Sequence, residues 1–322
     1  MSKQIVLTYD YELFLGSDSG DLNQTLIKPT EKILKILEQY NAVGLFFIDV
    51  TFLSHIKNTK CYDSVKRQIQ KIRVLGHEIG LHLHPHWIDA KEIKKCRWKF
   101  ENFENFRLHS FDNQKLEQIV RENYNLLQSI IYEIDSRYKI ECFRAGGWSV
   151  QPFEQLKDIF LEVGIKYDFS VLPGMLDDDR PKHYYNFKNT PQKEIWYFTD
   201  DILCEDTNGK FLEVPTTVFK MNIFDLIKNK RLIKTYKIAG NGYGAGKQKS
   251  FLEKLQRVRL YVPQILSSDS LEYEIFKKYI SKIDKNLVIY VAHPKLFSEN
   301  SFKILVYLCK NFKIITYKDI SN

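Results

Sequence analysis

The residues best placed to do chemistry in this 322-residue chain are a pair of carboxylates and a dense run of histidines. The first group is Thr8-Tyr9-Asp10-Tyr11-Glu12, inside a β-rich run near the N-terminus. In an extended segment, residues two apart point to the same face, so Asp10 and Glu12 project together. Adjacent carboxylates repel, and such a pair usually has a cation or a proton to share. An exposed acidic strand end is the plainer alternative.

The second group is Gly76-His77-Glu78-Ile79-Gly80-Leu81-His82-Leu83-His84-Pro85-His86-Trp87. His77, His82, His84 and His86 are half of the chain's 8 histidines. Neutral imidazole is the commonest metal-binding side chain, and with carboxylate oxygen it suits zinc and its neighbours. His82 and His86 with one acidic residue would give three protein ligands and leave positions for water and substrate. His84 shares their face if the segment stays extended, but Pro85 predicts a bend there.

Three further clusters sit at predicted strand ends. Phe143-Arg144-Ala145-Gly146-Gly147-Trp148 offers an arginine that could pair with a carboxylate and two glycines that let backbone approach a ligand. Tyr167-Asp168-Phe169-Ser170 and Val291-Ala292-His293-Pro294 place an acid and a histidine at the edge where parallel α/β folds assemble their sites. A histidine there is a natural general acid, oriented by a carboxylate. Each cluster alone could equally be a polar loop entrance. Gly240-Asn241-Gly242-Tyr243-Gly244-Ala245-Gly246-Lys247 only imitates a phosphate-binding loop: Asn241 stands where the first glycine is required, and Gln248 follows the lysine.

The elements that must position these residues alternate between strand and helix. Strands are predicted over residues 4–9, 44–50, 77–82, 140–143 and 167–170. Helices are predicted over 29–40, 64–75, 113–133 and 152–163. This βαβ rhythm predicts parallel strands in an α/β barrel or open sheet. The rhythm breaks over 173–248, expected to be an inserted lobe or lid with short strands at 195–198 and 211–214. Helices are then expected at 250–265 and 271–283, a buried strand at 287–292, and a helix and a strand at 313–316 to finish.

Composition is that of a globular protein: 44% hydrophobic and 27% charged residues. The net charge of +8 favours anionic partners, but the lysines are scattered and no nucleic-acid recognition motif is present. Cys61, Cys96, Cys142, Cys204 and Cys309 form no CxxC pair, which predicts reduced thiols. With no signal peptide and no transmembrane run, the expected location is cytoplasmic.

Taken in order, the acidic pair, GHEIGLHLHPH, the FRAGGW turn, Asp168 and the late His293 resemble the polysaccharide deacetylases with NodB homology, carbohydrate esterase family four. The FRAGGW turn is similar to the branch found in lipopolysaccharide and O-antigen gene clusters. The resemblance spans Thr8 to about Pro294. It implies one domain over 1–322, a distorted (β/α) barrel with the 173–248 insertion. It also implies one divalent metal, zinc with cobalt or nickel as alternatives, held by Glu12, His82 and His86. Asp10 would be the general base, Arg144 would hold Asp10 ionised, and Asp168 would orient the general acid His293. His84, Gly147 and Trp148 would lie behind the ligands or against the substrate, with backbone near Gly147 as oxyanion donor. The chain departs from the family in two places: Tyr11 separates the two carboxylates, and Arg-Ala-Gly-Gly-Trp replaces Arg-Pro-Pro-Tyr-Gly. The implied reaction is removal of an N-acyl group, acetyl by preference, from an amino sugar in surface-polysaccharide biosynthesis, the substrate being nucleotide- or lipid-linked. The alternatives are a deformylase or other amide hydrolase, and a carbohydrate-binding protein of the same fold.

Overall fold

Every residue of the apolar run Gly44–Asp49 is buried, as a parallel strand covered on both faces requires. This run is β2 of a computed structural model that describes residues 3–244 and 261–320. The other strands of the main sheet are β1 (Gln4–Tyr11), β3 (Glu78–Leu83), β6 (Cys142–Ala145), β7 (Tyr167–Asp168), β10 (Trp196–Phe198), β11 (Phe211–Glu213), β14 (Leu287–Ala292) and β15 (Lys313–Ile314). Their order is β10-β11-β7-β6-β3-β2-β1-β14, with β15 beside β1, and every pairing is parallel except β10 with β11. The remaining strands form hairpins or pairs: β4 (Lys91–Lys94) with β5 (Arg97–Lys99), β8 (Leu176–Asp179) with β9 (His183–Asn186), and β12 (Val218–Asn222) with β13 (Tyr261–Ile265).

The sheet curls until its two ends approach. Thr217, just beyond β11, donates its amide to Ile289 O of β14 at 3.2 Å and accepts from Ile289 N at 2.9 Å through its hydroxyl. This curled half-barrel fits the distorted (β/α) barrel that the resemblance implies, and its parallel strands are those the alternating pattern predicts. Alternate residues of the strands separate two cores. Val6, Leu45, Phe47, Cys142 and Ile289 fill the inside of the curl, while Ile5, Leu7, Phe46, Ile48 and Val288 meet the helices.

The helices are α1 (Lys28–Gln39), α2 (Val50–His55), α3 (Tyr62–Val74), α4 (Asn113–Tyr132), α5 (Glu154–Val163), α6 (Ile223–Ile233), α7 (Tyr273–Ile280) and α8 (Glu299–Asn311). Their faces follow the helical period: Leu116, Val120, Leu127 and Ile131 of α4 are buried, and Asp112 caps its N-terminus by accepting from Lys115 N at 2.8 Å. No helix among the described residues is long and apolar enough to cross a membrane.

The fold differs from the sequence reading within 173–265 and at two cysteines. Within 173–248, β10 and β11 belong to the main sheet, so only the rest of that segment can stand over it. Of the helix expected over 250–265, residues 250–260 lie outside the described residues and 261–265 form a strand. Pro263, which lacks an amide proton, suits an edge strand better than a helix interior. Cys61 and Cys96 are joined as a disulfide with Cα atoms 5.9 Å apart, against the expectation of reduced thiols; Cys142, Cys204 and Cys309 are free. The partners lie 35 residues apart, so spacing carried no hint of the pairing.

Candidate active site

The C-terminal ends of β1, β3, β6 and β14 meet at one rim of the sheet, and register decides which side chains share it. Tyr9 pairs with Ala292, Asp49 with His82, and His82 with Arg144. Thr8, Asp10 and Glu12 alternate onto the inner face, as the two-residue period of β1 requires.

Arg144 is fully buried beneath the rim. Its guanidinium donates to Asp10 Oδ1 at 2.5 Å, to Thr8 Oγ1 at 2.9 Å and to Phe169 O at 3.2 Å, and lies 4.3 Å from the centre of the Phe47 ring. Burial alone would raise the pKa of Asp10, but Arg144, then His293 and His82, outweigh it and hold the carboxyl below its usual range. These cations favour the ionised form of Asp10.

Glu12, His82 and His84 bring three donor atoms together. Glu12 Oε2 lies 2.7 Å from His84 Nε2 and 3.2 Å from His82 Nε2, and the two imidazole nitrogens are 3.1 Å apart. His82 Nδ1 lies 2.7 Å from Arg144 O, and a carbonyl can only accept, so Nδ1 carries a proton and Nε2, which faces Glu12, is the nitrogen that could bind a metal. His84 is held by its amide, which donates to Thr51 Oγ1 at 2.8 Å. Burial opposes a charge on Glu12, but Lys295 and then His84 outweigh it and keep the carboxyl well below its usual range. Two of these separations, 3.1 and 3.2 Å, are close to the roughly 3.3 Å between ligands held at ~2.0–2.1 Å around a tetrahedral zinc, while the 2.7 Å between Glu12 and His84 is a hydrogen-bond distance.

His86, expected as a ligand, is not in this group. Pro85 opens a 3-10 turn over Pro85–Asp89 that turns His86 away from the rim. Its ring stacks on Phe106, with centroids 4.5 Å apart, and packs on Phe100 at 4.7 Å; neither ring nitrogen has a hydrogen-bond partner. Burial, then the neighbouring His84, holds its pKa well below the histidine range, so it stays neutral. The second imidazole grouped with Glu12 is that of His84.

His293 faces both carboxylates, with Nε2 3.4 Å from Asp10 Oδ2 and 3.4 Å from Glu12 Oε1. The residue that orients it is Asp269, whose Oδ2 lies 2.7 Å from Nδ1. Asp168, expected in that role, stands on β7, several strands away from β14 along the sheet. Its carboxylate accepts from Ser170 N at 2.7 Å and from the Ser170 hydroxyl at 3.2 Å, and it is hydrogen-bonded to Glu213. Burial lifts Asp168 to about 6, while burial and then Asp168 raise Glu213 much further, so this acid pair shares a proton behind Arg144.

These groups open into a cavity of about 220 Å³, room for roughly seven waters at ~30 Å³ each. Leu15, Phe106, Ala145, Gly147, Trp148, His183, Gly244 and Lys295 complete its lining. His183 on β9, paired with Asp177 at 3.1 Å, and Gly244 are brought by the 173–248 segment. The Gly240–Gly244 part of the false phosphate loop is anchored to Lys295 O through Gly240 N and to Asp18 O through Tyr243 N; Ala245–Lys247 lie outside the described residues.

The two glycines after Arg144 permit close packing. A Cβ on Gly146 would stand 2.4 Å from Leu83 O and 2.7 Å from His84 Nδ1, and Gly147 holds a φ of +58°. Gly146→Ala is expected to lower stability by about 1–3 kcal/mol. An unchanged thermal midpoint would contradict this close approach.

Asp269, Lys295 and His183 are the site residues the sequence reading missed. Lys295 lies in the Pro294–Leu296 turn, where the two-residue period of a strand gives no guide to its direction. Asp269, in a serine-rich turn, and His183, in a hairpin, carried no signal either.

No family model and no curated protein matches this sequence. Solved structures do match in fold. A Mycobacterium smegmatis protein provisionally assigned as a polysaccharide deacetylase superposes with a TM-score of 0.50 at 12% identity, covering 99% of this chain and 89% of its own. A Bacillus cereus polysaccharide deacetylase gives 0.42 at 13% identity, over 98% of this chain and 93% of its own. A family 4 carbohydrate esterase from Streptomyces lividans in complex with acetate gives 0.43 at 8% identity, over 96% and 87%. The chain shares its mixed α/β, curled-sheet fold with the Mycobacterium smegmatis protein.

Proposed function

We propose that this chain is a metal-dependent hydrolase that removes an N-acyl group, acetyl by preference, from an amino sugar. The observation that carries the reading is the Glu12–His82–His84 triangle beside an ionised Asp10 and a carboxylate-held His293. A binding protein would need no such combination. One carboxylate with two imidazoles suits zinc, with cobalt or nickel as alternatives. A divalent ion bound there would supply Lewis acidity toward the acyl carbonyl and acidify water.

The chain's own residues supply the rest. Asp10, kept ionised by Arg144, accepts a proton from the attacking water. Burial would depress His293, but Asp10, Asp269 and their charges outweigh it and raise its pKa to about 10. His293 is therefore protonated at neutral pH and can donate to the departing amine, a poor leaving group otherwise. Backbone near Gly147 is the proposed oxyanion donor, since the turn lines the cavity. Phe106 and Trp148 provide aromatic walls of the kind sugar rings pack against.

The chain would act as one catalytic unit, with the part of 173–248 outside the sheet covering the cavity. The net charge of +8 supports an anionic, nucleotide- or lipid-linked substrate of surface-polysaccharide biosynthesis. The Cys61–Cys96 bridge removes the thiol argument for a cytoplasmic location.

Asp269→Asn tests the acid assignment. Losing the carboxylate lowers the pKa of His293, so the alkaline limb of the pH–rate profile moves to lower pH. The rate should fall by roughly 10²–10⁴-fold, the usual contribution of general acid catalysis. An unmoved alkaline limb would count against His293 as the acid. For the metal, titrating the metal-free protein with zinc should show one tight site per chain; no binding would overturn the reading.

A further inference from the structure

Lys295 is a buried cation, 8% exposed, in the short Pro294–Leu296 turn that follows β14. Its Nζ donates to Glu12 Oε1 at 2.7 Å and to Leu13 O at 2.9 Å. Its own carbonyl accepts from Gly240 N at 2.9 Å, so the turn is fixed from the other side as well. Nothing in the proposed chemistry uses this lysine.

Its effect shows in how the two oxygens of Glu12 are divided. Oε2 faces His82 and His84, whereas Oε1 faces Lys295, with His293 Nε2 farther off at 3.4 Å. Two carboxylates crowd the rim, and each has its own buried cation: Arg144 for Asp10, Lys295 for Glu12. Without Lys295, Oε1 would be a buried carboxylate oxygen lacking its nearest donor, and the carboxylate could rotate to offer both oxygens to an ion.

We propose that Lys295 is a positioning residue that holds Glu12 Oε1 so that the carboxylate offers Oε2 alone to a divalent cation shared with His82 and His84. This rests on the metal reading above. Groups that orient ligands from behind typically account for about 10–100-fold in metal affinity. A lysine in this place also keeps the coordination number low, leaving room for water and substrate.

The test is cobalt(II) titration of the metal-free full chain, read by calorimetry and by visible absorption. Wild type, Lys295→Met and Lys295→Arg are compared, with Lys295→Gln taking the place of the Met variant if that one does not fold. The expected result is about 10–100-fold weaker cobalt binding in Lys295→Met. Its absorption bands should also weaken, as the coordination number rises with a bidentate carboxylate. Lys295→Arg should recover affinity and band intensity, because a cation is restored opposite Oε1. If the uncharged variant matches wild type in both affinity and spectrum, the positioning role is wrong while the metal site stands. If wild type binds no cobalt, the metal reading falls and this role falls with it.

Discussion

Arg144→Met is expected to lower stability by about 3–5 kcal/mol, the usual result of removing one partner from a buried ion pair. Methionine fills much of the space but leaves Asp10, 3% exposed, without its closest counter-charge, and it removes the Arg144 donors to Phe169 O and to Thr8 Oγ1, which keeps its bond to Tyr290 O. The loss should depend on pH in a definite direction. The pKa of Asp10 is depressed in the folded state, so its stabilising contribution is present above the unfolded value of about 3.9. It is lost as pH falls through the lower, folded value. The difference in stability between wild type and Arg144→Met should therefore be full near neutrality and shrink as the pH drops below about 4. Denaturant melts at pH 7 and pH 3.5 measure this; a difference that is equal at both would mean that the arginine acts through packing alone.

The other large effect separates two histidines that the sequence made hard to tell apart. His84→Ala removes a corner of the donor triangle, and the protein should lose more metal affinity than the ~100-fold that outer partners account for. Deacylation should fall at least about 10³-fold, since the Lewis-acid contribution is worth several kcal/mol and each 1.36 kcal/mol is tenfold. His86→Phe should keep the metal, because its ring lies among Phe100, Phe103 and Phe106 and neither nitrogen has a partner to lose. If the two variants exchange these behaviours, His86 is the ligand and the turn at Pro85 is placed wrongly.

Much of the framework could be read from the residues. The continuous apolar runs of β2 and β14 and the alternation in β1 predicted buried parallel strands and the face on which Asp10 and Glu12 stand. The rim followed, because parallel strands put their C-terminal ends together. Asp10, Glu12, His82, Arg144 and His293 come together there.

What could not be read was decided beyond the period of any element. His82, His84 and His86 share a face only while the chain stays extended. Pro85 announces a bend but not the direction of the turn, which depends on Trp87 Nε1 reaching Asp49 Oδ2 at 2.7 Å. Asp168 and Asp269 both stand near strand ends. Which of them reaches His293 depends on the order β7-β6-β3-β2-β1-β14, a property of the assembled sheet. The Cys61–Cys96 bridge likewise joins the residue before α3 to the turn between β4 and β5, segments with no local relation.

The central claim is metal-dependent N-deacylation, and acetate release tests it most directly. N-acetylglucosamine oligomers would be incubated with the full chain carrying one equivalent of zinc, and with the same protein stripped by a chelator. Free acetate is followed by proton NMR. The account predicts acetate release from the loaded protein, none from the stripped protein, and recovery when zinc is returned. Release that is indifferent to the chelator would contradict the metal's part in the reaction. No release from oligomers or from nucleotide-linked N-acyl amino sugars, with zinc demonstrably bound, would contradict the deacylase assignment.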